Sequence, residues 1–172
     1  MKKRLLTLPI ALLALSNIMC GFGAKDFDEK YFTRTQPELA QLAGIYRPTE
    51  DTLKLVNETG HYNVQDISIT LFANGTFEMI NLPDWWYTDF GEPSGGTDSG
   101  NGKWSLDQQT DYWDIVFRFE TTNFSSDPAL SGGLDAWIEL SGEQKPYSLW
   151  FYVGDPDDGR VMILQQIIEK SQ

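Results

Sequence analysis

The sequence predicts an all-β fold: an antiparallel meander of eight or nine strands, closed or nearly closed into a barrel, with one short N-terminal helix. Three observations carry this reading. Aromatic residues make up 13% of the chain and fall mostly in alternating runs, which suit strands better than helices. From Gly44 onward apolar residues recur at every second position, leaving one face of each segment buried and the other wet. Short turns join these segments, and closure removes the exposed edges that such a meander would leave.

The chain of 172 residues fits a single domain. Its start has the three-part order of a secretory signal. Met1-Lys2-Lys3-Arg4 is basic, Leu5 to Leu15 is apolar apart from Thr7 and Pro9, and Gly21, Gly23 and Ala24 offer small residues for a cut near Ala24. Residues 1–23 are therefore expected to be removed and 24–172 to form the domain. The apolar run is too short for an ordinary membrane-spanning helix. The competing reading is a buried N-terminal helix. Cys20 is the only cysteine and, followed by Gly21, stands where a bacterial lipoprotein signal would place its lipidated residue. Asn17-Ile18-Met19 before it departs from that pattern, so Cys20 either carries a lipid anchor or leaves with the signal. In both cases the domain lacks a disulfide and is held by packing.

The chain has 13 basic and 25 acidic residues, and loss of Lys2, Lys3 and Arg4 leaves 10 against 25, a balance of −15. Such a charge repels nucleic acid and anionic lipid headgroups and favours basic partners or simple solubility.

Each element follows in order. Lys25 to Arg34 reads as a polar lead-in with Phe27, Tyr31 and Phe32. Thr35-Gln36-Pro37-Glu38 reads as a helix start with Thr35 as cap. Leu39 and Leu42 share one face of a helix that Gly44 closes, a plug or lid over the sheet's end. Ile45-Tyr46-Arg47 and Leu53-Lys54-Leu55-Val56 are short strand candidates. Ile67, Ile69 and Leu71 lead to Asn74-Gly75, a two-residue turn suited to a type I′ hairpin, and the chain returns through Phe77 and Met79 towards Leu82. Lys103 to Leu106 is a short strand. Trp113, Ile115, Phe117 and Phe119 form a stripe opposite Asp114, Arg118 and Glu120. Leu134, Ala136, Ile138 and Leu140 alternate with Asp135, Trp137 and Glu139. Tyr147, Leu149, Phe151 and Val153 are backed by Trp150 and Tyr152, and a last strand runs from Arg160 to about Ile168. Two longer connections, Pro83 to Gly102 and Thr121 to Gly133, break the rhythm, as functional or mobile loops do.

Three short motifs fall in the order found in bacterial lipocalin-like domains: Leu42-Ala43-Gly44-Ile45-Tyr46, Gly75-Thr76-Phe77 and Gly102-Lys103-Trp104-Ser105. The chain resembles that family across the whole domain. The resemblance implies a small lipocalin-like barrel with an internal cavity, no enzyme activity and no catalytic residue. The long acidic, aromatic loop departs from the plain family pattern.

Asp84-Trp85-Trp86-Tyr87, with Asp89 and Glu92 nearby, is the most unusual segment. Adjacent indoles offer large apolar faces at low entropic cost, so they can anchor a ligand or partner, and the carboxylates beside them can bind hydroxyls or a basic group. The alternative is that these rings cap the barrel's open end. His61, the only histidine, lies in a turn with no motif around it. Asp155, Asp157 and Asp158 invite a calcium reading, but Gly159 and Gln166 stand where an EF-type loop needs other residues. A loose oxygen site or a plain hairpin turn remains.

The function expected from the residues is that of an exported, non-enzymatic barrel, periplasmic or secreted. It binds a small ligand or a protein partner through its loop-bearing end, without a cofactor, without nucleic acid, and with no membrane contact beyond an anchor at Cys20. The first rival is an acidic immunity or inhibitor protein that blocks a basic toxin or hydrolase. The second is a small hydrolase using Asp84 or Glu92.

Overall fold

The computed structural model describes residues 31–59, 62, 66–86, 95–124, 133–155 and 159–168. Among these residues two helices, α1 (Leu39–Leu42) and α2 (Glu50–Thr59), flank the first of eight strands. The strands are β1 (Gly44–Pro48), β2 (Ser68–Leu71), β3 (Thr76–Pro83), β4 (Thr97–Gln108), β5 (Trp113–Phe124), β6 (Asp135–Ser141), β7 (Ser148–Tyr152) and β8 (Val161–Gln166). Each pairs antiparallel with its sequence neighbour, and β1 meets β8 to close the barrel, with Tyr46 opposite Gln166 and Pro48 opposite Leu164. The all-β barrel and its short N-terminal helix stand as expected.

Alternation decides which side chains fill the interior. Tyr46, Ile69, Leu71, Phe77, Met79, Trp104, Ile115, Phe117, Phe119, Ile138, Leu140, Leu149, Phe151, Met162 and Leu164 form one continuous core. Its centre is aromatic: the Phe77 ring lies 4.5 Å from Phe117 and 5.0 Å from Phe119. These rings meet inside the barrel, where the lipocalin-like resemblance implies a cavity.

Several local expectations are corrected. Leu53 to Val56 lies within α2, not a strand. Four alternating residues cannot distinguish the two periods, whereas Thr49 caps the helix by accepting from the Thr52 amide at 3.2 Å, and Glu50 and Asp51 sit in its first turn. Thr52 then ties α2 to β8, its hydroxyl donating to the Ile163 carbonyl at 3.0 Å and accepting from the Ile163 amide at 2.8 Å. Thr35 does not cap α1; the N-cap is Glu38, whose amide donates to the Gln41 side chain at 3.3 Å. Leu39 is exposed while Leu42 is buried, and Gly44 opens β1. α1 is tied to the barrel wall at its C-terminal end: Gln166 Nε2 on β8 donates to the carbonyls of Gln41 (2.9 Å) and Ala43 (3.1 Å), and the Tyr46 hydroxyl donates to that of Leu42 (2.8 Å).

The hairpin over Ile67–Leu82 forms, but with Ile69 opposite Met79 and Leu71 opposite Phe77 its register is one residue off the one that a two-residue Asn74-Gly75 turn sets. Its turn has three residues, Ala73-Asn74-Gly75, closed by the Phe72 amide donating to the Thr76 carbonyl at 2.9 Å. Gly75 takes the positive φ (81°), while Asn74 accepts from the Thr76 amide and hydroxyl. β4 is far longer than Lys103 to Leu106, because the Gly/Ser/Thr stretch read as loop is strand from Thr97 onward. Its glycines serve close approach: a Cβ on Gly102 would lie against the Arg118 carbonyl oxygen, at a bulge between Asn101 and Gly102. The polar lead-in is also partly structural. Phe32 and Thr33 are buried, and Thr33 bridges diverging strands by donating its amide to Leu140 (2.9 Å) and accepting from the Trp113 amide (2.8 Å).

Candidate functional site

β3 bulges between Met79 and Leu82, and Asn81 there takes a positive φ of 51°. The chain then turns through a short 3₁₀ helix, Asp84–Trp86, at the barrel's end. Trp85 is 1% exposed and meets Tyr62 edge-on, with ring centroids 5.0 Å apart. Trp86 reaches into the core against Phe119 (5.7 Å), Phe124 (5.5 Å) and Phe151 (6.3 Å). Trp85 is thus buried and Trp86 half-buried against the rings of the core.

Two buried carboxylates accompany them. The Tyr62 hydroxyl donates to Asp84 Oδ1 at 2.7 Å and accepts from the Gly95 amide at 3.2 Å, and Trp86 Nε1 donates to Asp98 Oδ2 at 2.9 Å. Burial first, then the bond to Asp84, hold the Tyr62 hydroxyl well above the usual phenol range. Tyr62 and Asp98 escaped sequence reasoning because both lie in segments rich in turn residues. Tyr87, Asp89 and Glu92 lie outside the described residues, as do His61, Asp157, Asp158 and Cys20. Asp155 is exposed in the turn after β7. Among the described residues no three acidic, histidine or cysteine side chains converge to hold a metal ion.

A second polar grouping lies on the outer wall, where the sequence suggested only a solvated face. Alternation sends Asp107, Asp114 and Glu139 outward, and the register aligns Asp107 with Asp114, Asp114 with Glu139, and Glu139 with Trp150. Asp114 is nonetheless 5% exposed, and its Oδ1 has no hydrogen-bond partner. Burial pushes its carboxyl up to about 6, opposed by a bond from Gln109 and reinforced by Asp107. Burial likewise raises Glu139 to about 7, with the charge of Asp114 adding to it and the Tyr152 hydroxyl opposing. Trp137, 53% exposed, stands beside the row and donates its Nε1 to Asp107 at 3.1 Å.

Arg34 and Thr35 donate their amides to Glu143 on the same flank, at 2.8 and 3.4 Å. Phe32 packs against Tyr112 (5.2 Å) and Trp150 (5.7 Å), and Tyr31 stacks on Trp150 at 6.2 Å. The segment entering the barrel thus borders the carboxylate row with aromatic surface.

No family model, curated protein or solved structure matches the chain.

Proposed function

We propose that this chain is an exported, non-enzymatic binding protein whose partner is a basic protein. The observation that carries the reading is the aromatic packing inside the barrel: Phe77, Phe117, Phe119, Phe124 and Trp86 meet ring against ring where a small-ligand barrel needs a void. Recognition is then left to the surface, and 25 acidic against 13 basic residues suit a basic counterpart. This favours the inhibitor-like rival over a small-ligand carrier. The hydrolase reading draws less support, since Asp84 is 3% exposed and held by Tyr62.

The test is affinity capture from an extract of the native host's envelope on the immobilised protein. The captured species is then identified and its complex titrated at rising salt. A stoichiometric complex with a protein of high isoelectric point, weakened steeply between about 0.05 and 0.3 M salt, is the expected result. A small apolar molecule retained through purification and seen in the native mass spectrum would overturn it.

A further inference from the structure

We infer that the outer row Asp107–Asp114–Glu139, with Trp137 at its edge, seats an arginine side chain of a protein partner. The inference rests on the proposed binding of a basic protein and names the surface that performs it. A neighbouring row on the same wall supplies the contrast. Lys103 stands opposite Arg118 and Arg118 opposite Asp135, and these charges are neutralised locally: Arg118 forks onto both Asp135 oxygens at 3.0 and 2.8 Å, and Lys103 pairs with Glu120 at 3.5 Å. Asp107, Asp114 and Glu139 have no such complement. Among the described residues no lysine or arginine forms an ion pair with any of them. Like charges directly opposite one another on a sheet destabilise it.

Two independent features point to a cation as the missing group. Asp114 Oδ1 is buried without a hydrogen-bond donor, a cost that a guanidinium N–H removes. The Trp137 indole is held beside the row by its bond to Asp107 and leaves half its surface open, so a planar cation can stack on it while bonding the carboxylates. The fork of arginine matches a line of carboxylates better than the point charge of lysine. The titratable groups around the row are Asp107 on β4, Tyr112 in the following turn and Tyr152 on β7, none of them cationic. An inserted guanidinium draws Asp114 and Glu139 back to their ionised forms, so binding releases protons and tightens as pH rises from 6 to 8.

The test titrates the full chain with a hexa-arginine and a hexa-lysine peptide at about 0.15 M salt, near physiological screening. Binding is followed by calorimetry and indole fluorescence. Three variants are compared: D114N/E139Q, W137A, and E50Q/E58Q, which removes equal charge from α2. The expected result is tighter binding of the arginine peptide, weakened about tenfold or more in D114N/E139Q and about threefold in W137A, with E50Q/E58Q unchanged. Amide replacement relieves buried like charges, so the double variant should melt no lower than the parent. If E50Q/E58Q weakens binding as much as D114N/E139Q, overall charge is responsible; this surface is then wrong while the basic-partner reading stands. If neither peptide binds, both fall.

Discussion

Asp114 on β5 lies directly opposite Glu139 on β6, and both carboxyls face the outside of the barrel while withdrawn from solvent. Their carboxyls titrate near 6 and 7, above the ordinary range, chiefly because burial disfavours the charged forms. The folded state therefore binds more protons than the unfolded one between about pH 4 and pH 7. Stability from this pair is complete below the unfolded values and is lost as pH rises through the folded ones. The protein should lose about 2–4 kcal/mol between pH 5 and pH 8, and D114N/E139Q should flatten that slope. Denaturant melts at the two pH values check this, and equal slopes in parent and variant would refute it.

Phe117→Ala should destabilise by about 3–5 kcal/mol, since the ring is buried against Phe77 and leaves a cavity in an aromatic core. Val116 points the other way yet is only 9% exposed, because that stretch of outer wall is itself covered. Val116→Ala should cost about 1–2 kcal/mol. Urea midpoints for both variants give the comparison, and a larger loss at Val116 would reverse the assignment of faces.

Trp85→Ala should lower stability by about 3–5 kcal/mol, as expected for a buried aromatic. Its near-ultraviolet circular dichroism should also change, because the indole packs edge-on to Tyr62. A variant as stable as the parent would place Trp85 at the surface.

Gly102→Ala should cost about 3 kcal/mol or more, since the added methyl meets strand backbone that has little freedom to retreat. Amide exchange should quicken across the β4–β5 pairing near Phe119. Exchange there unchanged from the parent would argue against the tight crossing.

The strands were legible wherever alternation ran for five residues or more, because period two then leaves no competing helical reading. The stripe from Trp113 to Phe119 and the hairpin around Gly75 are of this kind. α2 was not, since its apolar residues mimic alternation over a short window and the deciding signal is Thr49 followed by two acids. β4 was half hidden because Gly100 and Gly102, glycines that close packing requires, look like loop residues. At the barrel's end the Trp85-Trp86 pair was visible as an oddity, but Asp98 and Tyr62 meet it only through tertiary contact. The outer row was invisible for a different reason: cross-strand register decides which carboxylates become neighbours, and register is not written in any one strand.

Gln166 and Gln41, joined by the hydrogen bond that pins α1 to β8, are 125 residues apart in sequence. Until β8 meets β1, each presents an unpaired edge, and the Gln41 and Ala43 carbonyls lack the Gln166 side chain that holds them. The reward for closing so long a loop comes only at the last step, which places the chain among slow folders, in milliseconds to seconds rather than microseconds. In that interval the open sheet is a template for other copies of itself. Refolding yield should therefore fall as chain concentration rises, even under conditions where the finished barrel stays monodisperse.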